Sequence, residues 1–306
     1  MSALPHVDSD RLAELLPWPT VIGALERALT SPLADSEITS RVSVPLAHGE
    51  LLLMPAATGE SLGVKIVGVA HNPGPDLPRI QALYVLLDGA TLTPVAVLDG
   101  TALTTLRTAG QSALVVRQMA RPEAHKLVVF GAGPQARAHI EALRTVRPID
   151  SVLVVGRRQA PVELLCAQLK SIGVDVRPGT PGDVATADIV VCATNSPTPV
   201  FDGHDLAADT CVVAVGSHTP DARELDDTVI TRASRIVVEH RKTALREAGD
   251  IVQAIANGVL HQGRLTDLSD LGARTPGISV FKSVGMGWQD LAVAQAAWQA
   301  ELRTLA

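Results

Sequence analysis

The chain has 306 residues, of which 46% are hydrophobic and 2% aromatic, and a formal net charge of −6. That length accommodates two domains with separate cores. The acidic balance excludes a general electrostatic affinity for nucleic acid, and the scarcity of aromatics argues against base-stacking platforms.

No apolar run is long enough to cross a bilayer, and the N-terminus lacks a basic region followed by an apolar segment. Cys166, Cys192 and Cys211 lie in or beside apolar runs without metal-type spacing. The expectation is a cytoplasmic protein with buried, reduced thiols and no metal.

In chain order, the first thirty residues read as helical. Asp8 or Ser9 can cap, Leu12, Leu15 and Leu16 recur at helical spacing, and Pro17 and Pro19 separate a second helix carrying Val21, Ile22, Leu25 and Leu29. From Arg41 to Leu98 the period changes to two. RVSVPL, ELLLMPA, LGVKIVGVA, ALYVLLD and TPVAVLDG are short runs between turn residues, as in an antiparallel sheet. A helix follows over 101–120 with Thr101 as its expected cap. From Lys126 strands alternate with helices, which predicts a doubly wound, mostly parallel α/β sheet. The last helix, from Trp288, places Leu291, Ala294, Trp298, Leu302 and Leu305 on one face. It is expected to pack back on the first domain.

The stretch KLVVFGAGPQAR at 126–137 has the strand, glycine turn and helix of a dinucleotide-binding unit. Gly131 permits the tight turn. Gly133, after Ala132, lets the backbone approach a pyrophosphate. The helix opens at Gln135, and Ala136 is small enough for close helix–strand packing. The next strand, SVLVVGRR at 151–158, lacks the terminal acid that binds a ribose 2′-hydroxyl and carries Arg157 and Arg158 instead. Two guanidiniums suit a 2′-phosphate, so the expected cofactor is NADPH, with NADH possible. Thr194 and Asn195 end one strand and Ser217 another, where strand carboxyl ends face a ligand crevice.

Three cations in the first half call for a partner. Lys65 shares a strand face with Val67 and Val69, Arg41 opens RVSVPL, and Arg107 lies among small residues of a helix. If all three face the interdomain cleft they form a cationic pocket for a small carboxylate, each charge-assisted bond contributing roughly 1.5–3 kcal/mol. The alternative for each is a surface or salt-bridged cation.

The ordered set of Arg41, LLLMPA at 51–56, GVKIV at 63–67, LLDGATLTPVAVLDGTALTTLRTAG at 86–110, VVFGAGPQARAHIEAL at 128–143, DIVVCATNSPTPVF at 188–201, VGSHTPDARELD at 215–226, REAGDI at 246–251 and FKSVGMGWQDLA at 281–292 resembles the ornithine cyclodeaminase/mu-crystallin family over nearly the whole chain. The resemblance implies a Rossmann-like NADP(H)-binding domain over 113–289. A smaller α+β substrate-binding and dimerisation domain would comprise 1–112 plus 290–306, in a homodimer. It implies that Arg41, Lys65 and Arg107 bind the substrate carboxylate, and that Thr108, Lys282 and Ser283 join the cofactor contacts. Glu247 and Asp250 are read as structural.

Cyclodeaminases of the family carry an Asp where this chain has His218. With Arg157 and Arg158, that departure points to the reductase branch. That branch reduces Δ1-pyrroline-2-carboxylate or Δ1-piperideine-2-carboxylate to L-proline or L-pipecolate, the latter a step of lysine degradation. Lys65 and His218 are then the expected proton donors. Alternatives within the resemblance are an alanine or opine-type dehydrogenase, a cyclodeaminase, and a non-enzymatic NADPH-dependent ligand-binding protein.

Overall fold

The computed structural model describes residues 4–30, 41–58, 60–72, 74 and 77–305. The chain divides into one unit comprising Met1–Gln111 with Met286–Ala306 and a second comprising Ser112–Gly285. The return to the first unit comes at Met286, a few residues before the expected 290.

The first unit begins with β1 (His6–Val7), α1 (Ser9–Leu15) and α2 (Trp18–Leu29). Asp8 caps α1 by accepting from the Arg11 amide. Then come β2 (Val42–Leu46), β3 (Gly49–Ala57), β4 (Ser61–Ala70), β5 (Ile80–Asp88), β6 (Pro94–Asp99) and α3 (Gly100–Met119), which runs past the unit boundary. The strands form one sheet in the order β1-β6-β5-β4-β3-β2, antiparallel except where β1 joins β6. The strand β1 had no signal of its own, because two residues carry no periodicity.

Alternation decides the buried face. Leu52, Met54 and Ala56 of β3, Lys65 and Val67 of β4, Tyr84 and Leu86 of β5, and Ala96 and Leu98 of β6 are buried. Val42, Val44, Leu46 and Leu83 remain exposed. The helix α3 is capped by Asp99 and not by Thr101. The Asp99 carboxylate accepts the Thr101 and Ala102 amides, and the Thr101 hydroxyl accepts the Ala82 amide.

The second unit is built on β7 (Lys126–Phe130), α4 (Pro134–Arg144), β8 (Ser151–Val155), α5 (Gln159–Ser171), β9 (Val176–Pro178), β10 (Ile189–Cys192) and β11 (Cys211–Ala214). It continues through α6 (Asp227–Arg232), β12 (Arg235–Val238), α7 (Arg241–Glu247), α8 (Gly249–Ala256), β13 (Leu265–Asp267) and β14 (Ser279–Lys282). Its sheet is parallel throughout, ordered β13-β12-β14-β11-β10-β7-β8-β9. The order reverses at β7 and β10, which opens a crevice outside their carboxyl ends.

The chain ends in α9 (Gly287–Leu305), which packs on β3, β4, β5 and α2 of the first unit. Its buried stripe is Trp288, Leu291, Ala294 and Ala297, whereas Trp298 is half-buried and Leu302 exposed. The expected stripe therefore holds only for its first two members; the Leu305 side chain lies outside the described residues. Gln289 and Asp290 are fully buried, polar residues that a hydrophobic pattern does not flag.

Candidate functional site

In the second unit, Gly131 follows β7 at φ +114, a conformation suited to glycine, and its amide donates to the Val155 carbonyl at 2.8 Å. A Cβ there would lie 2.5 Å from the Ala193 carbonyl oxygen. Gly133 caps α4 with open space around its missing side chain, and Pro134 occupies the first turn, where no amide proton is needed. The helix therefore presents free amides to a concave surface. Ala136 is fully buried, packing α4 closely.

The cleft over this turn has a volume of about 660 Å³ and is lined by Gly131, Ala132, Gly133, Arg157, Arg158, Thr194 and Asn195, among others. Arg157 and Arg158 are exposed at its edge, beyond β8. The bare backbone at Gly133 and the flanking guanidiniums fit a phosphate-bearing dinucleotide.

The other residues expected to contact the cofactor take part in hydrogen bonds within their own units. The Lys282 ammonium is fully buried, donating to the Ser217 carbonyl at 2.7 Å and pairing with Asp250 at 2.9 Å. The Ser283 hydroxyl donates to Glu239, and that of Ser217 to the Ala222 carbonyl. The Thr108 hydroxyl donates to Thr104, one turn back on its own helix. The Gln135 carbonyl accepts from the His139 ring at 2.7 Å. Lys282, Ser283 and Ser217 thus each have a polar partner within the second unit. A buried ammonium needs a carboxylate, and Asp250 supplies it.

Three carboxylates that sequence reasoning did not single out as site-shaping hold this end of the sheet. Glu224 accepts the Thr194 amide and hydroxyl, each at 2.7 Å, and the Gly216 amide at 2.7 Å. It thereby ties the loops after β10 and β11. Burial raises its carboxyl above the usual range, opposed by Lys282 and the Thr194 bonds. Asp250 accepts the amides of Glu224 and Leu225, and Glu239 those of Val284 and Gly285. His218 follows Ser217 in the loop after β11, half-buried and outside the cleft lining.

In the first unit, β4 and α3 bring two of the expected cations together. Lys65 Nζ lies 2.9 Å and Arg107 Nε 3.0 Å from the Asp290 carboxylate, and Arg107 also donates to Gln289 at 2.8 Å. All four side chains are buried. Arg41 is near enough to act on Lys65. Burial pushes the Lys65 ammonium down to about 8, with Asp290 opposing and Arg107 and Arg41 assisting. Tyr84 sits opposite Lys65 in the β4–β5 register, fully buried. Burial and the Asp290 charge hold its phenol well above its ordinary range.

The sequence profile of the ornithine cyclodeaminase/mu-crystallin family matches residues 10–302. A Δ1-pyrroline-2-carboxylate reductase of Colwellia psychrerythraea is 33% identical over 81% of this chain and 82% of its own. Among solved structures, a Thermococcus litoralis Δ1-pyrroline-2-carboxylate reductase in complex with NADH and L-proline superposes with a TM-score of 0.92 at 27% identity. The match covers 98% of both chains. An archaeal alanine dehydrogenase dimer with bound NAD superposes at 0.90, with 25% identity over 99% of this chain and 97% of its own. The chain belongs to the ornithine cyclodeaminase/mu-crystallin family.

Proposed function

We propose that this protein is an oxidoreductase that reduces cyclic imino acids, Δ1-pyrroline-2-carboxylate or Δ1-piperideine-2-carboxylate, to L-proline or L-pipecolate, using NADPH in preference to NADH. The observation that carries the reading is the buried cluster of Lys65 and Arg107 on Asp290, with Arg41 close to Lys65, in a chain that also holds a dinucleotide cleft. The reductase relatives at 33% identity support the substrate class.

Gly131, Ala132, Gly133, Arg157, Arg158, Thr194 and Asn195 would hold the nucleotide, which when bound supplies a hydride. The amides opening α4 take the pyrophosphate, and Arg157 and Arg158 take a 2′-phosphate. The Thermococcus litoralis relative was solved with NADH, so both nucleotides enter the test below.

Lys65, Arg107 and Arg41 take the substrate carboxylate. Arginine stays protonated, so Arg41 and Arg107 act as clamps. Lys65, with its midpoint near 8, keeps its proton at neutral pH yet can release it, and we assign to its Nζ the proton for the ring nitrogen. His218 is the second candidate for that proton. The three carboxylates behind the β10, β11 and β14 ends keep the loops in place, so that positioning costs no rearrangement.

The exposed outer sheet residues Val42, Val44, Leu46 and Leu83 favour pairing with a second copy, as a homodimer. No described helix is long and apolar enough to cross a membrane. Cys166, Cys192 and Cys211 are buried and unpaired, which supports a reducing compartment such as the cytoplasm.

The test follows NADPH oxidation by absorbance with both cyclic imines, with NADH, and with pyruvate plus ammonia. Turnover on either imine, faster with NADPH, is the expected result. Silence on both imines with activity on pyruvate would replace this reading by an alanine dehydrogenase.

A further inference from the structure

Asp290 touches two of the three expected carboxylate ligands, Lys65 and Arg107, and it stands in no strand or helix that precedes them in the chain. It arrives on α9, 225 residues after Lys65 and 183 after Arg107. Its side chain is fully buried, and it lies at 2.9 Å from Lys65 Nζ and 3.0 Å from Arg107 Nε. Gln289, the residue before it, takes the Arg107 Nη1 proton at 2.8 Å and also accepts the Met286 amide at 3.1 Å. The start of α9 thus fixes the guanidinium from two sides and the ammonium from one.

We infer that Asp290 is the positioning residue of the carboxylate site: it holds the Lys65 and Arg107 cations side by side so that one substrate carboxylate meets both without rearrangement. The inference rests on the imino-acid reading for the identity of the substrate, and on the Asp290 distances to Lys65 and Arg107 for the role.

Three physical arguments support it. First, two buried cations that share a site repel each other, and a common carboxylate between them removes that cost. Second, Arg107 has a planar fork. Engaging Nε with Asp290 and Nη1 with Gln289 fixes the plane of the guanidinium, which sets the direction from which a second carboxylate can approach. Third, the charge count is selective. Lys65 and Arg107 carry two positive charges against the one negative charge of Asp290, so this trio keeps a net positive charge suited to a small acid.

The groups that face Lys65 are Asp290 from α9, Arg107 from α3, Arg41 ahead of β2, and Tyr84 from β5. Asp290 is the one whose charge raises the lysine; Arg107 and Arg41 lower it, and the phenol of Tyr84 stays neutral. Loss of the Asp290 charge should therefore release the Lys65 proton at lower pH.

The experiment uses two variants of the full chain and pyrrole-2-carboxylate, a planar carboxylate whose ring nitrogen does not titrate near neutrality. Asp290→Glu keeps the charge and displaces it by one methylene. The expected result is a rise of about tenfold or more in KM for the imine, and in Kd for pyrrole-2-carboxylate, larger than the accompanying fall in kcat. Asp290→Asn removes the charge. By 15N NMR of labelled lysine, with the signal assigned through Lys65→Arg, the Lys65 midpoint should fall by about one unit or more from its wild-type position.

Wild-type KM and Kd in Asp290→Glu, or an unmoved Lys65 midpoint in Asp290→Asn, would overturn the inference. Circular dichroism and a cooperative thermal transition matching the wild type report whether each variant is folded. If the Asn variant does not fold, the Glu variant and its KM against kcat decide. Absence of imine turnover and of pyrrole-2-carboxylate binding in the wild type would instead defeat the substrate reading. The Lys65 titration would still judge Asp290 as its partner.

Discussion

Gly63 and Tyr84 occupy one volume between them: a Cβ on Gly63 would lie 2.1 Å from the Tyr84 hydroxyl and 2.5 Å from the ring carbon that bears it. The two residues are on adjacent antiparallel strands, and Tyr84 faces Lys65 across the same pair. The glycine therefore makes room for a phenol that is fully buried beside Lys65 and finds no hydrogen-bond partner among the described residues.

Gly63→Ala should consequently destabilise the first unit by about 1–3 kcal/mol, because overpacking forces either the ring or the strand to move. Tyr84→Leu in the same chain should recover most of that loss. Urea unfolding of the two single variants and the double variant measures the coupling. Additive effects would show that the two residues do not compete for space.

Carboxylate binding should weaken as the pH rises through about 8, where Lys65 loses its proton in the folded protein. Stability runs the other way. The lysine midpoint is lowered from 10.5 to about 8 on folding, so between those values the unfolded chain binds more protons and this residue's contribution rises with pH. Pyrrole-2-carboxylate titrations from pH 6.5 to 9.5 check the first statement. A Kd flat across that range would remove Lys65 from the carboxylate site.

His139 gives the acid side of the stability profile. It is fully buried on α4, its Nδ1 hydrogen donating to the Gln135 carbonyl and its Nε2 accepting from Ser112 at 2.9 Å. Burial lowers the imidazole from 6.5 to about 4. The unfolded chain then binds an extra proton between those values, so stability falls as the pH drops from about 6.5 towards 4. The loss approaches about 3 kcal/mol at the acid end. His139→Gln should flatten that limb in denaturation midpoints taken at a series of pH values, and an unchanged slope would contradict the assignment.

Arg157→Asp should weaken NADPH by about ten- to a hundredfold while leaving NADH near its wild-type affinity, the loss expected for one charge-assisted phosphate contact. Fluorescence titrations with both nucleotides decide it. Equal losses would mean that Arg157 does not distinguish the 2′-phosphate.

Much of this protein was legible in the residue order because the relevant signals are local. The turn at Gly131 and Gly133 is written in a glycine spacing: φ +114 suits glycine at the first position, and the second leaves open space at the start of α4. The alternating strands of the first unit and the apolar strands of the second follow from burial on one face or two. What contacts the buried cations was decided by the tertiary structure. Lys65 and Arg107 could be singled out as cations needing a partner, but their carboxylate comes from a helix at the far end of the chain, and no periodicity marks Asp290 as buried. The same holds for Lys282. Its place at the end of a strand is equally compatible with facing a ligand or facing inward, and the carboxylate of Asp250, brought by α8, turns it inward. Local chemistry specifies which groups require compensation, and the long-range fold chooses the group that provides it, because desolvated charges are held by whatever the packing brings within about 3 Å.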